Sequence, residues 1–167
     1  MKYTTVAFSS SINRSNFRCG NLLLDRYFKE QAIHDFKKKI AAIFIWLDEN
    51  KKVIGFYSLS NDNIDRKEVP EEMEKKMPES FDSFPTTFLG KLAIDLNFQK
   101  DGNGRILLFD ALKRACDNSK SSIVSMAVVV DPIDLNAQEF YTTFGFVNLP
   151  DRGRMLLPMK TINQVMG

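Results

Sequence analysis

Gln99-Lys100-Asp101-Gly102-Asn103-Gly104-Arg105 is a polar run that sets two glycines and two cations between an apolar segment and an amphipathic one. Before it, Leu89 to Ile94 has the length and branching of a buried strand. After it, Ile106, Leu107, Phe109, Ala111, Leu112 and Cys116 recur at helical spacing and predict an apolar stripe, with Asp110, Lys113, Arg114 and Asp117 on the opposite side. A strand, a glycine loop and a helix in this order aim main-chain N–H groups at an anion. The first turn of a helix leaves up to about four amides without an intrahelical partner, and its dipole adds about half a positive charge. Gly102 and Gly104 remove side chains that would keep a phosphate at a distance, and Arg105 adds a fixed charge beside them. The run therefore reads as a diphosphate cradle. The same glycines would serve a plain strand-to-helix turn, and on the glycines alone the two readings stand level. No Lys-Ser or Lys-Thr follows the second glycine, so G-x-x-x-x-G-K-S/T is excluded; G-x-G-x-x-G does not fit either, and no βαβ repeat surrounds the run.

The elements that must hold this run are set by periodicity and punctuation. Lys2 to Phe8 reads as a first strand, then polar Ser9 to Asn16 and a turn at Phe17 to Asn21, with Asn21 as helix N-cap. Leu22 to Ile40 fits a helix with Leu24, Phe28, Ala32, Ile33, Phe36 and Ile40 inward and Arg26, Lys29, Lys37, Lys38 and Lys39 outward, a charge run of the kind that is usually a solvated face. Ala42 to Leu47 and Val53 to Leu59 are apolar runs joined by Asp48 to Lys52, a hairpin signature, and Gly55 marks a bulge or a close packing contact. Ser60 to Phe84 is the least regular stretch, with one short helix at Glu71 to Lys76. Thr86 to Ile94 is the central strand. Ser121 to Val130 is the next, internal at Ala127 to Val130 and ended by Asp131-Pro132. Leu135 to Phe144 forms a short helix closed by Gly145. Phe146 to Leu149 and Met155 to Met159 make a last hairpin around Asp151-Arg152-Gly153. The order β-α-β-β-β-α-β-α-β-β is a mixed α/β fold in one domain spanning residues 1–167, with no repeat, low-complexity tract or linker.

At 167 residues and 44% hydrophobic, the chain can bury a substantial core. A net charge of +2 shows no dense nucleic-acid footprint in the total, and leaves room for a local patch. Cys19 and Cys116 are too few for a disulfide framework or a zinc site, and no metal is expected. His34, the only histidine, lies among lysines without a nucleophile nearby, so it reads as a solvated helix residue and not as part of a hydrolase triad. No long apolar segment opens the chain and none reaches membrane-spanning length, so the expected location is cytoplasmic, with no membrane partner.

Gln99-x-x-Gly102-x-Gly104 after Leu92-Ala93-Ile94-Asp95 resembles the acetyl-CoA signature Q/R-x-x-G-x-G/A of the GNAT superfamily of N-acetyltransferases. Downstream, Asn136-Ala137-Gln138-Glu139-Phe140-Tyr141-Thr142-Thr143-Phe144-Gly145-Phe146 resembles that superfamily's second motif, A-x-x-F-Y-x-x-x-G-F. The resemblance covers most of the chain and is closest from Phe88 to Phe146. Cys19-Gly20-Asn21-x-x-Leu24-Asp25-x-Tyr27-Phe28 is similar to the opening helix of the toxin-like members of toxin–antitoxin pairs.

The resemblance implies a GNAT fold, a mostly antiparallel sheet splayed at its central strands and flanked by helices. It implies acetyl transfer from acetyl-CoA, a cosubstrate, to a primary amine. The pantetheine arm would pair with Leu92, Ala93 and Ile94 and meet Asn136. The diphosphate would sit on the amides from Lys100 through Gly102, Asn103 and Gly104 to Arg105, with Gln99 shaping the loop. Tyr141 falls on the family's tyrosine position and becomes the general acid, since a leaving thiolate with a pKa near 8.5 gains from a phenol of pKa about 10. Phe140 is expected to face the core and Tyr141 the site. No general base stands out; Asp95 and Glu68 are candidates, and water or a neutral amine would suffice. Asp101 and Asn103 depart from the usual neutral or basic residue and the usual aliphatic one, which predicts retuned coenzyme A binding.

The acceptor stays open among three expectations. The toxin-like branch implies the amino group of aminoacyl-tRNA, with Arg14, Arg18, Lys29, Lys37, Lys38 and Lys39 guiding phosphates, and brings an antitoxin partner and a homodimer as further expectations. The second is a small-molecule or peptide amine; for any of these acceptors the resemblance places substrate selection within Ser60 to Phe84. The third is a non-catalytic acyl-CoA-binding regulatory module, which Tyr141 argues against.

Overall fold

The computed structural model describes residues 5–121, 123–150 and 153–166. Lys2 to Thr4 of the first expected strand, Ser122, and Asp151 and Arg152 of the last turn lie outside them. The strands are β1 (Thr5–Ala7), β2 (Ala42–Leu47), β3 (Val53–Asp65), β4 (Ser83–Ile94), β5 (Ala127–Val130), β6 (Val147–Asn148) and β7 (Met155–Pro158). They form a seven-stranded sheet in the order β1-β2-β3-β4-β5-β7-β6. Two compact units divide the chain, Met1–Ser60 with Gly90–Ala111 and Asn61–Leu89 with Leu112–Gly167.

In the first unit β1, β2 and β3 run antiparallel, with Val6 opposite Ile45 and Phe44 opposite Tyr57. The β2–β3 turn is fastened by Asp48, whose Oδ1 accepts the amides of Asn50 and Lys52 at 2.8 Å each. The register shifts between Trp46 and Leu47, opposite Gly55. A Cβ at Gly55 would lie 2.6 Å from the Ala93 carbonyl and 2.7 Å from Ile94 Cδ1, so both expectations for this glycine hold. The core here is aromatic. Phe28 stacks on Phe56 at 4.1 Å, and Phe17 meets both edge-on at 4.9 and 5.5 Å. Burying each such ring stabilises by about 1.5–3 kcal/mol.

The first helix is not regular. It comprises α1 (Leu22–Arg26), a π-helical turn (Tyr27–Gln31) and α2 (Ala32–Lys37). Asn21 caps it as expected, accepting the amides of Leu23 and Leu24. The widened turn carries Tyr27 and Phe28 inward together and rotates the rest of the helix, so the expected inward face holds through Ile33, which packs against this core, and fails beyond it. Phe36 and Ile40 are 43% and 59% exposed, and the chain leaves the helix through Lys39, whose φ of 58° is left-handed. Arg14 donates from Nη1 to the Phe28 carbonyl at 2.7 Å, giving a partner to a carbonyl of the widened turn.

In the second unit β5 pairs parallel with β4, from Thr87 opposite Val128 to Leu89 opposite Val130, and antiparallel with β7. Ile64, Phe84, Ala127, Val129, Leu149 and Leu156 form its core. Three expectations are corrected. Ser60 to Asp65 is not irregular but continues β3, with alternation that buries Ile64 and turns its polar neighbours out. The strand expected from Ser121 starts only at Ala127, and Ile123 and Val124 are exposed. The chain does not end on a strand: Met159 opens an unforeseen helix, α6 (Met159–Met166), which buries Met159 and Ile162. The short helix α3 (Glu71–Glu74) forms where expected, beside an Arg66–Glu74 ion pair of 2.6 Å.

Helix α4 (Asn103–Ser121) buries Leu107, Leu108, Ala111, Leu112, Ala115 and Cys116, a stripe two residues wide. Ile106 and Phe109, expected inside, are 42% and 45% exposed because the true face is rotated toward Leu108. Asp110, expected on the outer side, instead accepts the hydroxyls of Thr5 at 2.8 Å and Tyr57 at 2.7 Å. A carboxylate joined to two sheet hydroxyls, one of them on the fully buried Tyr57, orients the helix more strictly than apolar contact does.

Candidate active site

The cradle begins where β4 ends. Its parallel ladder with β5 stops at Leu89, while β4 itself runs on to Ile94, so Leu92, Ala93 and Ile94 lie past the end of that ladder. Asp95 then donates its amide to the Ile54 carbonyl at 2.8 Å, and Leu96 to the Arg18 carbonyl at 2.7 Å. Gln99 Nε2 donates to the carbonyls of Cys19 and Ile94, both at 2.7 Å. Gln99 thus ties the Phe17 to Asn21 turn to the strand end. Lys100 and Gly102 both have left-handed backbones, with φ of 71° and 79°. Their alternation with Asp101 folds the chain into a concave turn of the kind that presents amides to anions. Nothing lies within 4 Å of where a Gly102 side chain would begin, so a ligand can approach the main chain there.

Asn103 turns its side chain back and donates to the Phe98 carbonyl at 2.8 Å. This departure from the family pattern reinforces the loop. Ile106 donates to the Gly102 carbonyl at 3.2 Å, which is the first main-chain bond of α4. The amides of Asn103, Gly104 and Arg105 belong to the first turn, at the positive end of a 19-residue helix. Arg105 is exposed beside them, as is Asp101.

In the second unit, α5 (Leu135–Thr143) is capped by Asp134, which accepts the Ala137 amide at 2.8 Å. Asn136 sits exposed in its first turn. At the other end Gly145 donates to the Thr142 carbonyl and Phe146 to that of Tyr141. The paired bonds close the helix and fold Phe146 back, its ring 5.3 Å from that of Tyr141. Phe140 lies 5.4 Å from Tyr141 on the other flank. Burial differs from the expectation for this pair: Tyr141 is enclosed at 8% exposure while Phe140 is only half-buried, because the helix closure draws Tyr141 under Phe146. Burial pushes the phenol well above its ordinary pKa, so it keeps its proton throughout the neutral range.

Asp95 drops out as a general base. It is buried, and its two oxygens accept the amides of Arg18 at 3.1 Å and Asn97 at 2.9 Å. An aspartate just past an apolar run and two before an asparagine is itself a turn signal, and it could have been read as such. Glu68 is half-buried in the second unit. Arg14 is committed to the Phe28 carbonyl and to the Phe8 ring face at 4.8 Å, which makes it structural before anything else. His34 is exposed, Cys19 and Cys116 are free thiols, and among the described residues no His/Cys/Asp/Glu group is arranged to hold a metal. No helix among the described residues is long and apolar enough to cross a membrane.

Known proteins share both the sequence pattern and the fold. The sequence model of the acetyltransferase (GNAT) family matches residues 10–146. A tRNA-acetylating toxin of Mycobacterium tuberculosis (strain ATCC 25618 / H37Rv) is 29% identical over 154 residues, covering 92% of this chain and 90% of the toxin. A crystal structure of a tyrosine-to-phenylalanine mutant of KacT superimposes with a TM-score of 0.90 at 25% identity, covering 99% of each chain. AtaT complexed with acetyl-methionyl-tRNAfMet shares the fold with a TM-score of 0.89 at 22% identity, over 99% of this chain and 100% of AtaT.

Proposed function

Because this chain belongs to the acetyltransferase (GNAT) family, we propose that it works as one domain that moves the acetyl group of acetyl-CoA onto the amino group of an aminoacyl-tRNA. The observation that carries the transfer chemistry is the row of main-chain amides at Asn103, Gly104 and Arg105, beyond a strand that outruns its parallel partner. The acceptor is supported by likeness to a tRNA-acetylating toxin over 92% of the chain. A tRNA acceptor puts the reaction in the cytoplasm, and likeness to a toxin brings an antitoxin partner into the same proposal.

Bound acetyl-CoA supplies an activated thioester whose acyl carbon an amine can attack and whose sulfur can leave. The amides of the cradle and the Arg105 charge hold the diphosphate, while Gln99 and Asn103 keep the loop in shape. Leu92, Ala93 and Ile94 offer strand main chain to the pantetheine arm, and Asn136 offers an exposed amide side chain to it. Tyr141 keeps a proton ready and gives it to the sulfur as the carbon–sulfur bond breaks. The attacking nitrogen loses its extra proton to water, since no carboxylate is assigned as base.

The test is acetyl transfer from labelled acetyl-CoA to charged tRNA, a polyamine panel and peptides, with wild type and Tyr141→Phe in parallel. Transfer to charged tRNA alone, lost in the variant, is expected. Transfer confined to polyamines or peptides would overturn the acceptor. Binding of acetyl-CoA without transfer to any acceptor would overturn catalysis itself.

A further inference from the structure

We propose that the groove between the Ser9–Asn16 loop and the β2–β3 turn is an RNA-backbone site that holds phosphodiesters of the aminoacylated RNA. The proposal rests on the tRNA acceptor argued above. The larger part of the groove is a pocket of about 850 Å³ in the first unit, whose walls include Ser9, Ser11, Asn13, Asn16, Lys51 and Lys52. A second recess of about 420 Å³ shares Ile12 and Asn13 with it and adds Arg14, Ser15 and Lys29. The two are therefore neighbours along one loop, with Lys51 and Lys52 lining the first and Lys29 the second, while Arg14 is held by the Phe28 carbonyl.

Hydroxyl, amide and cationic side chains are the groups that proteins turn toward phosphate oxygens. Ser9 to Asn16 has no carboxylate, which leaves the loop nothing to repel a phosphate. Among the described residues Asp95 is the one carboxylate in the wall of the larger pocket, and its oxygens are already satisfied by the Arg18 and Asn97 amides. Donors and cations strung along a groove suit a chain of phosphates better than one small anion, which needs them converged on a point.

The walls are also held in place before any ligand arrives. Ser9 and Ser11 share a hydroxyl bond of 2.8 Å, and Asn13 Oδ1 accepts the amide and hydroxyl of Ser15 at 3.0 and 2.7 Å. With its oxygen so used, the polar group Asn13 has left to offer is an N–H donor. On the facing turn, Asp48 fixes the amides of Asn50 and Lys52, and Lys51 sits in a left-handed conformation at φ 62°. Groups ordered in advance lose less entropy on binding.

The experiment uses a Lys51→Asn/Lys52→Gln double variant, since asparagine tolerates the left-handed backbone. Uncharged tRNA binding is followed by fluorescence anisotropy at 50 and 200 mM salt, with calorimetric acetyl-CoA binding as the control for folding. Each lost phosphate contact should lower the slope of log K against log salt by about 1, so the affinity ratio between the two salts should shrink about ten-fold. KM for charged tRNA should rise about ten-fold with kcat held, and transfer to a short aminoacyl-adenosine ester should be unchanged. An unaltered slope and KM for tRNA would overturn the groove and leave the acceptor reading standing. RNA binding that depends on the two lysines, without transfer to charged tRNA, would uphold the groove and overturn the acceptor.

Discussion

In the proposed reaction the cradle and the phenol meet different structural standards. The cradle is main chain: its donors are the amides of Asn103, Gly104 and Arg105, placed by Gln99, by two left-handed residues and by the start of α4. Its side chains can drift, and they have done so at Asp101 and Asn103, provided the backbone keeps its path. The phenol is one side-chain group, and its burial comes from tertiary packing against Phe140 and Phe146. A backbone site is redundant and tolerant, whereas a buried hydroxyl has no substitute. Damage to the first should therefore be graded and damage to the second abrupt.

The sharpest break of that contrast is Tyr141→Phe, which deletes one oxygen from a packed ring. It should lower kcat by about 10²–10⁴ while acetyl-CoA affinity stays at the wild-type value, measured by thiol release and calorimetry. A variant with near wild-type kcat would remove Tyr141 from the chemistry. Next comes Gly102→Val. At φ 79° a side chain costs about 1–2 kcal/mol of backbone strain, and relaxation of the turn should weaken acetyl-CoA binding about ten-fold with kcat at saturation preserved. Binding that is unmoved would mean the turn does not hold the diphosphate.

Alkaline pH sharpens the phenol side. Burial raises the Tyr141 pKa above its ordinary 10.0, so the folded chain retains a proton that the unfolded chain releases. The resulting stability is complete below about pH 10 and is lost as pH climbs past it, by up to about 1.4 kcal/mol per pH unit. Urea midpoints at pH 9 and pH 11 should therefore fall less in Tyr141→Phe than in wild type. Tyr27, whose hydroxyl donates to Asp35 and whose pKa is likewise raised, contributes equally to both proteins and cancels. Equal falls would show the Tyr141 hydroxyl to be solvated. The smallest effect belongs to Asp101→Lys, which replaces an exposed anion beside the helix start. Acetyl-CoA should bind a few-fold tighter at low salt, and the gain should fade as salt rises.

The features legible along the chain are those that local spacing dictates. The strand–loop–helix order of the cradle, the Asn21 cap, the Asp48 to Lys52 turn and the Gly145 closure rest on neighbours in sequence, and they stand where spacing put them. The errors fall where distant residues compete. The π turn at Tyr27 satisfies an aromatic core drawn from β3 and the Phe17 turn, and it overrides the regular helical face. Asp110 looked like a surface charge until two hydroxyls from other strands claimed it.

The amino-acid sequence by itself determined the backbone path of the cradle, because glycine placement, caps and apolar periodicity act within a few residues of one another. Only the tertiary structure decided that Asp95 is a buried brace, that Tyr141 rather than Phe140 is enclosed, and that the Ser9–Asn16 loop walls a groove with Lys51 and Lys52. Burial and charge pairing depend on partners that lie tens of residues away, and a linear pattern carries no record of which of them arrives.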